Sequence, residues 1–260
     1  MPGLIDLHCH ILPGIDDGAS TLEDSIDMAN KAVSQGITHI LCTPHENNGR
    51  FNNPKASVIK RVDALQKELD ERKIPLQLLA SQEVHITGEL MQNIKDDQIL
   101  FVDLQDQYLL IEFPSSGVPE YTDTLFSELI SSGITPIIVH PERNAHFIKD
   151  PNNLISFLDL GCMAQLTAPS YIGVFGDTIQ NTAHTMVEHN MVQCVASDAH
   201  GIHKRNFYLK EALDAIAKDF GKDRAVAMNQ FARDLVNGAP VSSGDYTPVD
   251  NKKHHWWNIF

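Results

Sequence analysis

Short apolar runs rich in β-branched residues recur along the chain, and segments with helical periodicity separate them. Each run is almost continuously apolar, as expected for strands that are buried on both faces of a parallel sheet. The alternation of such strands with helices predicts an α/β fold built from repeated strand and helix units. Seven runs have this pattern, at residues 4–8, 37–43, 76–84, 108–113, 135–140, 162–167 and 192–197.

The segments between the runs carry helix start and stop signals. Thr21 can cap a helix whose first turn is acidic. An apolar stripe through Ile26 and Val33 follows and ends at Gly36. The same periodicity predicts further helices over residues 54–71, 121–132, 204–220 and 223–238.

Chain length favours one large domain. A chain of 260 residues, 42% of them hydrophobic, can bury one large core. We expect a domain over residues 1–241 and a flexible tail over residues 242–260, where Ser, Gly, Pro and Asp give way to a Lys, His and Trp cluster. Trp256 and Trp257 beside Lys252 and Lys253 leave open a docking role for this tail at a membrane surface or on a partner.

Charge and cysteine content exclude several classes of protein. The chain has 20 Lys and Arg against 34 Asp and Glu, a net charge of −14, so nonspecific binding to nucleic acid is not expected. Its four cysteines lie far apart without a C-x-x-C pair, which argues against a disulfide scaffold or a zinc ribbon. The start of the chain lacks a signal-peptide pattern, and no apolar run approaches the ~18 residues of a membrane span. We therefore expect a cytoplasmic protein.

Potential metal ligands follow almost every predicted strand. Functional residues of parallel α/β folds gather at the carboxyl ends of the strands. His8 and His10 lie two apart, which places both on the same side of an extended chain at roughly 6–7 Å. Asp16 and Asp17 follow in a tight turn, where either could be an oxygen ligand. The candidates after later strands are His45, Glu83, Glu112, His140, Asp198 and His200.

Several carboxylates in one cleft would repel one another without bound cations, so the set predicts a polynuclear metal site. Mixed histidine and carboxylate ligands are typical of Zn, Mn or Fe, and the choice among them stays open. Six other histidines lie within segments or on expected helix surfaces and are interpreted as structural: His39, His85, His146, His184, His189 and His203.

Two arginines follow the ligand motifs, and other phosphatase and nucleotide motifs are missing from the sequence. Arg143 comes three residues after His140, and Arg205 five residues after His200. A guanidinium beside a metal cluster is well matched to a phosphate. No cysteine begins the C-x5-R motif of cysteine phosphatases, and neither a P-loop nor a G-x-G-x-x-G fingerprint occurs.

Together, these motifs resemble the PHP (polymerase and histidinol phosphatase) superfamily. They are D-x-H-x-H, G-x-D-D-G, T-P-H, two lone glutamates, H-P-E-R and S-D-A-H. Within the superfamily the chain is similar to bacterial manganese-dependent protein-tyrosine phosphatases of capsule and exopolysaccharide synthesis, the CpsB/YwqE type. The resemblance covers roughly residues 4–238. In this chain Glu46-Asn47 stands where basic residues often follow the histidine, and Asn206-Phe207 replaces a frequent Pro-Pro.

The resemblance implies a distorted (β/α)7 TIM-like barrel with three divalent metal ions, usually manganese. Arg143 and Arg205 match the phosphate-gripping arginines of the family, and Glu83 matches a bridging ligand. The implied ligands are His8, His10, Asp17, His45, Glu83, Glu112, His140, Asp198 and His200.

The resulting hypothesis is hydrolysis of phosphotyrosine by attack of metal-bound hydroxide. The resemblance implies a partner, the phosphotyrosyl tail of a bacterial tyrosine kinase that is also a polysaccharide co-polymerase. An alternative is a phosphomonoesterase of the same superfamily acting on a small substrate such as histidinol phosphate. An amidohydrolase barrel is disfavoured, since Glu112 stands where those enzymes commonly have a lysine. A noncatalytic barrel that docks through its tail is disfavoured by the intact ligand set.

Overall fold

Parallel strands organise the chain. The computed structural model describes residues 3–203 and 205–250, which contain nine strands and ten α-helices. The strands form a three-stranded sheet of order β1-β2-β4 and a six-stranded sheet of order β3-β5-β6-β7-β8-β9, and all paired strands are parallel. The strands are β1 Leu4–Cys9, β2 Ile37–Cys42, β3 His45–Glu46, β4 Gln77–Ala80, β5 Glu83–His85, β6 Tyr108–Glu112, β7 Thr135–Val139, β8 Met163–Thr167 and β9 Cys194–Ala196.

Six of the seven predicted runs contain one main strand each, but the strand predicted over residues 76–84 is two strands. The chain breaks at Ser81 and Gln82, where the Gln82 side chain donates to Asn53 O (2.6 Å) and accepts from Leu100 N (2.6 Å). The break lets β5 leave β4 and pair with β3 and β6. The polar residues Ser81, Gln82 and Glu83 interrupt the apolar run at the break, but their local pattern does not show that the chain changes sheets there.

The two sheets meet at a seam between β1 and the end of β9. Asp198 N donates to His8 O (2.8 Å), and His10 N donates to Ala199 O (2.9 Å). Asp6 strengthens the seam, because its carboxylate accepts from both the backbone N–H (2.8 Å) and the hydroxyl (2.5 Å) of Ser197. The predicted distorted seven-stranded barrel is confirmed. β2 and β3 together take the place of one strand of the barrel, and β4 and β5 together take the place of another.

Helices cover the outside of the barrel. At the start of the first, Thr21 Oγ1 accepts from Asp24 N (3.2 Å) and Asp24 Oδ2 accepts from Thr21 N (2.9 Å), which confirms the predicted cap. The helix predicted over residues 204–220 begins only at Leu209, and the short helices between β7 and β8 were not predicted. The helices are α1 Leu22–Ser34, α2 Lys55–Glu71, α3 Leu90–Lys95, α4 Thr122–Ser131, α5 Ala145–Lys149, α6 Ile155–Asp159, α7 Ala168–Tyr171, α8 Asp177–Glu188, α9 Leu209–Phe220 and α10 Lys222–Val236.

An apolar cluster fills the barrel interior. Strand side chains such as Leu7, Leu110 and Ile137 pack there, and α10 adds Ala232 and Leu235 at the amino end of the strands. All four cysteines are buried and unpaired. Burial raises the pKa of both Cys162 and Cys194 to about 12, so these thiols are inert core residues.

The segment after α10 lies against the barrel. Val249 exchanges two hydrogen bonds with the Asn152 side chain (2.8 and 3.0 Å), and Thr247 N donates to His189 O (3.0 Å). The Lys, His and Trp cluster, for which a docking role is left open by the sequence, lies outside the described residues. Within the described part of the chain, no helix is long and apolar enough to cross a membrane.

Candidate metal centre

The carboxyl ends of the strands bring the nine predicted ligands together. Eight of them fall into three groups, and the ligand atoms of each group lie within 4.8 Å of one another. Since metal–ligand bonds are about 2.0–2.3 Å long, such spacing allows one ion per group. The groups are His10, Asp17, His45 and His200; His8, His10 and Asp198; and His45, Glu83 and Glu112.

Glu83 lies at the middle of this cluster and is buried. Its Oε2 is 2.8 Å from His45 Nδ1 and 3.3 Å from His8 Nε2, and its Oε1 is 2.8 Å from Nε2 of His140, the ninth predicted ligand. His10 and His45 each belong to two groups. The ligands therefore form one continuous cluster, with Glu83 where a bridging carboxylate would lie.

Residues around the cluster fix the orientation of its imidazoles. Asp16 Oδ2 lies 2.8 Å from His10 Nδ1, so that His10 Nε2 faces the cluster. Of the two adjacent aspartates, it is Asp17 that belongs to a group of candidate ligands. His200 Nδ1 is 3.0 Å from the carbonyl oxygen of Asp198. Partners of this kind set the tautomer and basicity of a ligand histidine.

Sequence reasoning missed two supporting residues. The Gln165 side-chain amide is 3.2 Å from His8 Nδ1, and His85 Nδ1 is 3.1 Å from Glu112 Oε2. Gln165 is the polar residue within an apolar strand, and His85 follows Glu83 at the same two-residue spacing that singled out His8 and His10. Both signals were present, and interpreting His85 as a purely structural residue overlooked its contact with a predicted ligand.

Two of the candidate ligands have strained backbone conformations. His140 has φ 39° and Asp198 has φ 51°, the left-handed region that costs a residue with a side chain on the order of 1 kcal/mol. Burial opposes ionisation of Asp198, but Arg143 and His8 hold its pKa well below the usual range. The strain and the buried charge are both concentrated where the ligands converge.

The two predicted arginines meet at Asp198. Arg143 Nη1 donates to its Oδ2, and Arg205 Nη2 lies 3.1 Å from the same oxygen. Arg205 Nη1 is also 3.6 Å from Asp17 Oδ2. Both guanidinium groups line a cavity of about 530 Å³ next to the ligands. Two permanent positive charges at such a cavity are suited to binding an anion.

The donor set is suited to divalent cations. Across residues 3–203 and 205–250, the buried atoms that make no hydrogen bond of acceptable geometry include Glu83 Oε2, His45 Nδ1 and His200 Nε2, although Glu83 Oε2 and His45 Nδ1 lie only 2.8 Å apart. An unpartnered buried polar atom is costly, and a bound cation would satisfy all three. Imidazole nitrogens and carboxylate oxygens are ligands for Zn, Mn or Fe.

The loop after His45, in which Glu46 and Asn47 stand where basic residues often occur in the family, is held by contacts of its own side chains. Glu46 is buried and its carboxylate accepts from Asn53 N. Phe51 stacks on His45 with ring centroids 6.0 Å apart, and the Arg50 guanidinium lies 4.8 Å from the Phe51 centroid. The acidic residue at position 46 therefore holds the loop that covers His45.

Fold and site define a TIM-like barrel whose carboxyl end carries a candidate metal centre with two arginines beside it. Residues 4–233 match the model of the family described as "Capsular polysaccharide synthesis, CpsB/CapC", and the chain belongs to this family. The family predicted from the motifs is confirmed.

Two curated relatives carry phosphatase names. The chain is 40% identical over 250 residues to "Tyrosine-protein phosphatase YwqE" of Bacillus subtilis (strain 168). The match covers 96% of this chain and 98% of that protein. It is 36% identical over 208 residues to "Putative tyrosine-protein phosphatase CapC" of Staphylococcus aureus, covering 80% and 81%.

A solved structure matches the fold closely. It comes from work on YwqE of Bacillus subtilis and CpsB of Streptococcus pneumoniae, described as unique metal-dependent tyrosine phosphatases. The TM-score is 0.90 at 41% identity, with 95% of this chain and 99% of that chain covered.

Proposed function

We propose that the chain is a metal-dependent protein-tyrosine phosphatase that regulates a tyrosine kinase of capsular or exopolysaccharide synthesis. The observation that carries the proposal is the pair of guanidinium groups of Arg143 and Arg205 on Asp198, directly beside the ligand cluster. Metal ligands and arginines around one cavity are the parts that phosphoryl transfer from a monoester to water requires. The names of the relatives support phosphotyrosine as the substrate.

Nine residues would hold three divalent ions, with manganese as the proposed metal. When bound, such ions supply Lewis-acid polarisation of the phosphoryl group and lower the pKa of water. The ligands in this proposal are His8, His10, Asp17, His45, Glu83, Glu112, His140, Asp198 and His200.

The arginines have the role of binding the phosphoryl group. Arg143 and Arg205 would donate to its nonbridging oxygens and exchange part of their contact with Asp198 for the substrate. Hydrolysis breaks the bond between phosphorus and the phenolic oxygen, forms a bond to a water oxygen, and leaves a proton on the phenol. Asp16 holds the His10 ring in place throughout.

The proposed partner is the phosphotyrosyl tail of a tyrosine kinase that acts as a polysaccharide co-polymerase. The family description, which refers to capsular polysaccharide synthesis, supports this partner. We place the enzyme in the cytoplasm, since its four cysteines are unpaired.

The test combines metal analysis with substrate comparison. Purified protein is assayed by elemental analysis and for hydrolysis of a phosphotyrosyl peptide and of histidinol phosphate, with Mn²⁺, with chelator and with vanadate. Bound metal and chelator-sensitive release of phosphate from the peptide are expected. Metal-dependent turnover of histidinol phosphate alone would replace the tyrosine phosphatase by a small-molecule phosphomonoesterase.

A further inference from the structure

The cavity beside the arginines has a second, apolar side. Its lining consists of Arg143 and Arg205 together with Val174, Phe175 and Ile179, and its volume is about 530 Å³. Cavities of several hundred Å³ with an apolar wall and a few convergent polar groups are the usual form of small-ligand sites. The apolar side therefore requires an explanation beyond phosphate binding.

Two of the three apolar side chains, Val174 and Phe175, come from a loop with a defined shape, and Ile179 lies in the first turn of α8. Gly173 and Gly176 have φ 82° and 93°, a region that favours glycine. Val174 N donates to Pro169 O (3.0 Å), and Gly176 N donates to Gly173 O (3.1 Å). These bonds hold Phe175 in a fixed turn between α7 and α8.

The apolar side also contacts the phosphate-binding side. The Arg143 guanidinium carbon is 5.5 Å from the centroid of the Phe175 ring, within range of a cation–π interaction. Val174 is 36% exposed, and Phe175 and Ile179 are half-buried. A single exposed apolar side chain is ordinary, but three at the edge of an arginine-lined cavity form a surface for an apolar group.

We infer that Val174, Phe175 and Ile179, here called the aryl wall, bind the aromatic ring of the substrate and make the enzyme selective for aryl over alkyl phosphate monoesters. The inference rests on the proposed phosphatase activity and adds the residues that set its substrate class. A phosphoryl group on the two arginines directs its ester substituent into the remaining cavity. An aromatic ring there can stack on Phe175 and cover Ile179, which a short alkyl group cannot do.

The first experiment measures binding without turnover. Phenylphosphonate and methylphosphonate share the phosphoryl chemistry but differ in the ring, and calorimetry with the manganese-loaded protein compares them. We expect Phe175→Ala to weaken phenylphosphonate about tenfold, or about 1.4 kcal/mol, and to leave methylphosphonate within about twofold. Ile179→Ser, which keeps the Phe175 ring against Arg143, should weaken phenylphosphonate about threefold. Val226→Ser, on the exposed surface of α10, is the matched control.

Two results would overturn the aryl wall. One is equal affinity of the unaltered protein for the two phosphonates. The other is an equal loss for both ligands in Phe175→Ala with no change in Ile179→Ser, which would mean that Phe175 only supports Arg143.

Turnover separates this inference from the proposed function. With phosphotyrosyl and phosphoseryl peptides of one sequence, Ile179→Ser should lower kcat/KM for the phosphotyrosyl peptide alone. Preference for phenylphosphonate without turnover of phosphotyrosine would remove the proposed function and leave the ligand preference standing. Turnover of phosphotyrosine without preference for phenylphosphonate would keep the proposed function and remove the aryl wall.

Discussion

The two ends of the barrel are built on opposite principles. At the amino end of the strands, α10 closes the interior with Leu235, which is fully buried. Two backbone groups at this end are paired with α10 side chains, since Ile5 N donates to the Asn229 side chain (3.1 Å) and the Arg233 side chain donates to Gly3 O (3.0 Å). At the carboxyl end, Glu83 and His200 keep buried atoms without hydrogen-bond partners.

The difference shows that the amino end of the barrel contributes mainly to stability, whereas the carboxyl end carries the groups for chemistry. Strained backbone at His140 and Asp198 and converging carboxylates lower the stability of the carboxyl end until cations bind. The closed amino end stabilises the barrel independently of any ligand. Changes at the amino end should therefore alter stability, and changes at the carboxyl end should alter turnover.

The largest expected effect is on stability, from Leu235→Ala. Removing a fully buried side chain from the closed end leaves a cavity and should lower the free energy of unfolding by about 3 kcal/mol. The kcat of the protein that remains folded should stay within about twofold. Denaturant titration at fixed metal concentration gives the first quantity and steady-state kinetics the second. Val226→Ala, at a residue of α10 that is 43% exposed, is the control and should change neither.

The second effect is on turnover, from Arg143→Ala. Loss of a preorganised charge at the phosphoryl group should lower kcat/KM by about 10²-fold or more, while metal content stays unchanged. Phosphotyrosyl-peptide kinetics and elemental analysis measure the two. Arg72→Ala, which removes an exposed ion pair with Glu23, should leave both unchanged. Retained turnover in Arg143→Ala would show that Arg143 does not bind the phosphoryl group, and the proposed anion site would be wrong.

The third effect is the pH dependence of metal binding. Burial lowers the pKa of His45, but the nearby carboxylates of Asp17 (3.3 Å) and Glu83 (2.8 Å) outweigh burial and raise the pKa from 6.5 to about 9 in the metal-free protein. A cation needs the neutral imidazole, so binding must release this proton below about pH 9.

Metal affinity should therefore rise by up to about tenfold per pH unit until pH 9 and then level off. The same proton stabilises the metal-free fold fully below pH 6.5, and this stability is lost as the pH rises to about 9. Calorimetry in buffers of different ionisation enthalpy counts the released protons. Affinity that is equal at pH 7 and pH 9 would show that His45 is neutral before the metal binds.

The sequence predicted the ligands better than it predicted the loops. His8 lies near the end of the mostly apolar strand β1 and His10 directly after it. A parallel barrel places all such strand ends in one ring, so the local pattern was sufficient. At Ser81 and Gln82 polar residues interrupt the predicted strand, but the break itself depends on side-chain hydrogen bonds from Gln82 to Asn53 and Leu100, which are distant in sequence.

The aryl wall was missed for a related reason. Val174 and Phe175 lie between two short helices without a strong period, in a turn that Gly173 and Gly176 shape. Only the folded chain shows that this turn lies beside Arg143, which is about thirty residues earlier. Residues that contact the substrate from loops depend on tertiary placement, whereas metal ligands at strand ends follow from topology.

The smallest expected effect comes from Tyr108→Phe at the closed end. The Tyr108 hydroxyl donates to Ala239 O (2.8 Å) and accepts from Val241 N (3.2 Å), which ties the segment after α10 to the start of β6. Its removal leaves both backbone groups short of a partner and should cost about 1 kcal/mol of unfolding free energy. Tyr121→Phe is the comparison variant, because it removes a hydrogen bond from the Tyr121 hydroxyl to Ile86 O (3.2 Å). Tyr121 is 43% exposed, so water can replace this hydrogen bond, and a smaller loss of unfolding free energy is expected. Denaturant titration compares the two variants, and kinetics should show turnover of Tyr108→Phe within about twofold of the unaltered protein. A larger drop in turnover would show that the closed end positions the metal ligands across the barrel, and the division of labour between the two ends would have to be abandoned.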